Sequence, residues 1–138
     1  MRIVLDTNVW LDWLVFNDPA VIPLKSARSD GLVRIAINSA GLEELGRVLA
    51  YPEFKLDAAA RSALFTQVRN CTYRADTVLI SPLPRCADPN DQKFLELARD
   101  AQADWLITKD KALLRLAKKQ FSAVAFRIGT PEQWLASR

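Results

Sequence analysis

Asp6, Glu44, Asp91 and Asp110 are the residues whose types and placement could do chemistry in this chain of 138 residues, which contains no histidine. The missing imidazole removes every Ser-His-Asp or Cys-His mechanism, every histidine general base and the usual zinc sites. Cys71 and Cys86 form no metal-like or redox-like pair and fit two reduced thiols of a cytoplasmic protein. Chemistry is left to carboxylates, hydroxyls, amines and thiols. Each of the four acids is expected just beyond the C-terminal end of a predicted strand. In a doubly wound sheet those positions share one rim, where ligands bind. Carboxylates gathered there with no basic partner in the local sequence repel one another and rise in pKa. A bound cation is the usual resolution. All-oxygen ligands select Mg²⁺ or Mn²⁺, and no EF-hand-like loop points to calcium. One or two such ions activate a water and stabilise both oxygens of an in-line phosphodiester displacement.

These acids need elements to position them. Ile3-Val4-Leu5 is an unbroken apolar run, the mark of a strand buried on both faces. A helix is predicted over 9–15, broken by Asn17-Asp18-Pro19 and Pro23, then a short helix over 24–29 and a second strand over 32–37. Asn38-Ser39 signals the N-cap of a helix over 40–50, and Asp57 that of a helix over 58–71. The third strand is predicted at 77–80, before a proline-stiffened loop over 81–87. Asp88-Pro89-Asn90-Asp91 starts a helix with Phe94, Leu95, Leu97, Ala98 and Ala101 as its apolar stripe. A fourth strand follows over 103–108, a helix over 111–119 and a fifth strand over 123–128. Gly129-Thr130-Pro131-Glu132 is a turn with a capping-box pattern that leads into a last short helix. Strands alternate with helices, with no repeat, low-complexity segment or linker. The expectation is one α/β domain over 1–138, a mostly parallel five-stranded sheet flanked by helices.

Each acid also has a plain structural reading. Asp6 could cap the following helix or form an Asx-turn with Thr7 and Asn8. Asp110 could cap the helix over 111–119, and Asp91 could serve the helix macrodipole. Asp88 is the N-cap of that same helix, which frees Asp91 to face the site. Glu43 and Glu44 point about 100° apart on a helix, and periodicity does not choose between them. Thr7, Asn8 and Thr108 are either hydrogen-bond donors that support the acids or ordinary turn residues. Arg115, Lys118 and Lys119 share helical spacing beyond Asp110 and form either a solvated face or an RNA track with Lys109, Lys111 and Lys93. Trp10 and Trp13 read as core or dimer contacts, and Trp134 as the residue that holds down the last helix. Tyr51, Phe54 and Lys55 fall in a break between helices, where a partner could dock.

Four stretches taken together carry a resemblance: 3–9 (Ile-Val-Leu-Asp-Thr-Asn-Val), 42–49 around Glu44, 88–98 around Asp88 and Asp91, and 103–110 ending in Thr108-Lys109-Asp110. In this order and spacing the chain resembles the PIN-domain family, in its branch of bacterial toxin components of toxin–antitoxin pairs. The resemblance implies a Rossmann-like three-layer sandwich and a Mg²⁺- or Mn²⁺-dependent endoribonuclease. By position it implies Asp6, Glu44, Asp91 and Asp110 as the catalytic, metal-holding acids, with Asp88 as a lower-ranked support. It decides for Glu44 over Glu43. It also implies an RNA substrate, a small antitoxin partner and a homodimer. The last motif often reads Thr-Gly-Asp-Lys-Asp in this branch. Here Lys109 and Ala112 replace its glycine and final aspartate, so Lys109 either lowers local negative charge or contacts a phosphate.

Composition bounds the alternatives. A net charge of +3 and a pI near 9.1 permit nucleic-acid binding without demonstrating it. No apolar run approaches the ~20 residues of a membrane span, and the first residues lack the basic and long apolar regions of a signal peptide. The runner-up reading is a non-catalytic PIN-like module that binds RNA or protein. A phosphatase with Asp6 as nucleophile would want a second aspartate where this chain has Asn8.

Overall fold

The computed structural model describes residues 1–78, 83, 86, 88–118 and 125–138. Its strands are β1 (Arg2–Leu5), β2 (Arg34–Ile37), β3 (Thr72–Arg74), β4 (Trp105–Ile107) and β5 (Arg127–Gly129). They form one five-stranded sheet in the order β3-β2-β1-β4-β5. Every pairing is parallel, with Ile3 opposite Ile35 on one side of β1 and opposite Trp105 on the other. The helices are α1 (Thr7–Leu11), α2 (Ile22–Ser29), α3 (Ser39–Leu49), α4 (Ala58–Cys71), α5 (Gln92–Asp100), α6 (Lys111–Lys118) and α7 (Pro131–Ala136).

Alternate strand residues supply two cores, because successive side chains on a strand point to opposite faces. Ile3, Leu5, Ile35, Ile37, Trp105 and Ile107 face Trp10, Leu24, Leu45, Leu49 and Trp134 from α1, α2, α3 and α7. Val4, Ala36 and Leu106 face Phe94, Leu95, Leu97, Ala98, Leu113 and Leu116 from α5 and α6. The result is the three-layer α/β sandwich expected of alternating strands and helices. Trp10 and Trp13 are buried core residues, and Trp134 is fully buried under α7.

Three elements differ from expectation. The third strand lies at Thr72–Arg74, immediately after α4, while Thr77 and Val78 are irregular. Residues 79 and 80, and most of the loop over 81–87, lie outside the described residues. An edge strand is paired on one side only, and β3 is accordingly half-exposed, so it carries no apolar run to announce it. The fifth strand is Arg127–Gly129; residues 123 and 124 lie outside the described residues. Gly129 is required there, since a Cβ would stand 2.8 Å from the Trp105 ring. The first helix turns into a π-helical segment over Asp12–Phe16 and ends at Asn17 with φ of 50°.

The strand order places the site. The chain leaves β1 for β2 and β3 on one side and crosses to β4 and β5 on the other. The crevice at the C-terminal ends of β1 and β4 is therefore the topological switch point of the sheet. Asp6 follows β1 there, and Thr108 follows β4. The Asp6 amide donates to the Ile107 carbonyl at 3.1 Å, which carries the ladder one residue beyond the strands.

Candidate acidic metal centre

Asp6 is only 2% exposed, and both of its carboxylate oxygens are engaged. Oδ1 accepts from the Val9 amide at 2.9 Å and so caps α1, while Oδ2 accepts from the Thr108 hydroxyl. The capping reading of Asp6 is therefore correct as far as it goes, and it does not remove Asp6 from the cleft. Thr108 in turn accepts from the Asp110 amide at 2.9 Å. One fully buried hydroxyl thus ties together the acids that follow β1 and β4.

Asp110 also has both characters. Its Oδ1 accepts from the Ala112 and Leu113 amides at 2.8 and 3.4 Å, capping α6, and Oδ2 stays outside that cap. Asp88 caps the 3₁₀ turn Pro89–Asp91 by accepting from the Asn90 amide at 2.9 Å. That turn delivers Asp91 to the crevice. Asp88, Asp91 and Asp110 each offer an oxygen, and these oxygens lie within 4.8 Å of one another. Asp88 thus stands, with Asp91 and Asp110, in an acidic group that could hold an ion. Asp6 and Glu44 wall the same cleft, of about 380 Å³, but stand outside that triad.

The electrostatics are those of crowded acids. Burial pushes the Asp91 carboxyl up to about 7, and the charges of Asp110 and Asp88 push the same way. Burial pushes Asp6 up to about 6, against the hydrogen bonds from Thr108 and Val9 that favour its ionised form. Asp91 Oδ2 is buried and has no hydrogen-bond partner. A buried orphan oxygen is costly, and a hard divalent ion would satisfy it. The donor set of carboxylate oxygens without nitrogen or sulfur fits Mg²⁺ or Mn²⁺.

Glu44 corrects the expectation that the acids have no basic partner in the local sequence, since Arg47 lies one turn on, and it gains a distant partner as well. Its Oε1 accepts from Lys93 Nζ at 2.8 Å, with Arg47 at 3.8 Å, and its Oε2 accepts from the Thr7 hydroxyl. Lys93 comes from α5, 49 positions away in sequence, so no local spacing announces the pair. Glu43 is exposed, while Glu44 faces the cleft. Asn8 lines the cleft from an exposed position.

Two of the basic residues considered above as an RNA track are paired with acids. Lys93 is committed to Glu44. Lys109 Nζ lies 2.5 Å from Asp12 Oδ2, and that contact holds its ammonium above its usual range. Arg115 is exposed and lines a separate cleft with Lys111 and Gln133. The Lys118 side chain and Lys119 lie outside the described residues.

A family model described as PIN domain matches residues 2–112, which include all five acids. None of the curated proteins compared with the chain matches it.

Proposed function

The chain belongs to the PIN-domain family, which is of nuclease type, and from that premise we propose that it is a Mg²⁺- or Mn²⁺-dependent endoribonuclease. The observation that carries the reading is the acidic triad with the unpartnered Asp91 oxygen at the switch point of the sheet. Asp88, Asp91 and Asp110 would hold the ion, with Asp6 and Glu44 beside them. A bound divalent ion supplies Lewis-acid polarisation of a phosphate oxygen and lowers the pKa of a water. The chain's own groups do the rest. Thr108 fixes the Asp6 carboxylate and the loop that carries Asp110. Thr7 and Lys93 hold Glu44 in one orientation.

The motifs around Asp6, Glu44, Asp91 and Asp110 support a role as the toxin of a toxin–antitoxin pair in the cytoplasm. RNA would be its substrate and a small antitoxin its partner, and the protein would act as a homodimer. Among the described residues no helix is long and apolar enough to cross a membrane. The test is cleavage of a mixed RNA pool with Mn²⁺ by the parent and by Asp6→Asn. A direct participant should lose more than about 100-fold, beyond the 10–100-fold typical of residues that only orient a ligand. Equal cleavage by the two proteins would remove Asp6 from the mechanism.

One observation favours a second reading, a non-catalytic RNA- or protein-binding module. Lys93 already neutralises Glu44, which lowers the negative charge available to an ion. Calorimetric titration with Mn²⁺ separates the two, since undetectable binding at millimolar ion would favour the module.

A further inference from the structure

Next to the acids the cleft changes character. After α3, Tyr51 leads into a 3₁₀ turn over Pro52–Phe54, which ends at Lys55 with φ of 52°. Tyr51 and Phe54 wall the same cleft as Asp88, Asp91 and Asp110. Their rings are nearly parallel, 7° apart in plane, with centroids separated by 6.4 Å. Phe16, from the π-helical end of the first helix, meets the Phe54 ring edge-on at 5.8 Å. Phe16 is 59% exposed and Tyr51 is 42% exposed. Three aromatic rings from two separate segments thus gather, two of them on the wall of an acidic cleft and the third, Phe16, against Phe54. The core does not require this arrangement, since only Phe54 is partly packed against it.

We propose that Tyr51, Phe54 and Phe16 form a base-stacking shelf, which takes an unpaired base of a nucleic-acid strand whose phosphate lies at the acids. The inference rests on the nuclease reading and deepens it. The occupant follows from what surrounds the rings. A base presents a flat π-face, and two near-parallel rings offer matching faces with no sequence requirement. The exposed Lys55, which directly follows Phe54, suits a strand that is anionic between its bases. Tyr51, Phe54 and the acids line one cleft, so a strand seated on those rings leads directly to the triad.

The test measures binding without catalysis. Fluorescence anisotropy in the presence of chelator would follow two labelled probes, an oligoadenylate and an abasic oligonucleotide of equal length. The parent should bind the base-bearing probe about tenfold more tightly than the abasic one. Tyr51→Ala and Phe16→Ala should each remove most of that preference and leave abasic binding unchanged, while Tyr51→Phe retains it. Phe54→Leu, which keeps an apolar side chain over the core, should lose it as Tyr51→Ala does. Equal affinity of the parent for both probes would overturn the shelf, as would alanine variants that bind like the parent. Cleavage of the base-bearing probe after Mn²⁺ addition is read separately. A protein that discriminates between the probes but never cuts keeps the shelf and sinks the nuclease.

Discussion

Asp91 is the residue at which structure and chemistry are most at odds. It is delivered by a rigid turn into a cluster of like charges, with one buried oxygen unpartnered. Its carboxyl is pushed up to about 7, and that of Asp6 to about 6, from an ordinary value of 3.8. An acid with a raised folded-state pKa keeps its proton where the unfolded chain has already lost it. The folded state then binds more protons than the unfolded state, so this contribution to stability is complete below about pH 4 and is lost as pH rises through 6 to 7. Chelator-treated protein should therefore melt at a higher temperature at pH 5 than at pH 7.5. In Asp91→Asn the difference should shrink, because the amide carries no charge to repel, and the variant should be at least as stable as the parent at pH 7.5. A parent that melts higher at pH 7.5 than at pH 5, or a variant with an unchanged difference, would show that the crowding costs nothing.

At the scale of elements, short pieces are held by a few large side chains. α7 has six residues, too few to stand alone, and it is secured at both ends of its contact. Thr130 and Gln133 form a reciprocal capping box at its start. Trp134 is fully buried against the sheet, and its indole N–H lies 3.4 Å from the Met1 sulfur. Trp134→Ala should lower stability by about 3–5 kcal/mol, the usual cost of an emptied aromatic site in a core. The measurement is the urea midpoint at constant slope; a loss below ~1 kcal/mol would mean that the cavity collapses or that α7 is dispensable. Elements were legible in the sequence wherever burial is two-sided. β1 and β4 have neighbours on both sides and helices on both faces, so they show as unbroken apolar runs. β3 escaped because an edge strand of Thr72-Tyr73-Arg74 needs no such run, and the more apolar stretch from Thr77 drew the assignment instead. The caps at Asn38, Asp57 and Thr130 were legible because each is a local side-chain-to-backbone bond. Lys93 on Glu44 and Lys109 on Asp12 were not, because each pair joins side chains far apart in sequence. The meeting of Phe16 with Phe54 was hidden for the same reason.

The whole molecule brings acids from four separate stretches to one rim, and it does so at the expense of their mutual repulsion. The position after β1, the turn before α5, α3 and the segment after β4 each contribute at least one of them. On the proposed function, folding and cation binding would be coupled. An ion that binds the folded cleft but not the unfolded chain stabilises by about 2.7 kcal/mol when present at 100 times its dissociation constant. For a chain of this length that is a rise of roughly 10 °C in melting temperature. Protons compete for the same oxygens, since Asp6 and Asp91 hold theirs up to about 6 and 7. The stabilisation by Mn²⁺ should consequently be large at pH 8 and small at pH 5.5, opposite in direction to the metal-free pH dependence. Thermal melts at both pH values, with and without 1 mM Mn²⁺ in the experiment, read the coupling directly. An equal Mn²⁺ effect at the two pH values would place the ion away from Asp6 and Asp91. No effect at either would mean that the acids hold no ion even when ionised, and would favour the non-catalytic reading over the nuclease.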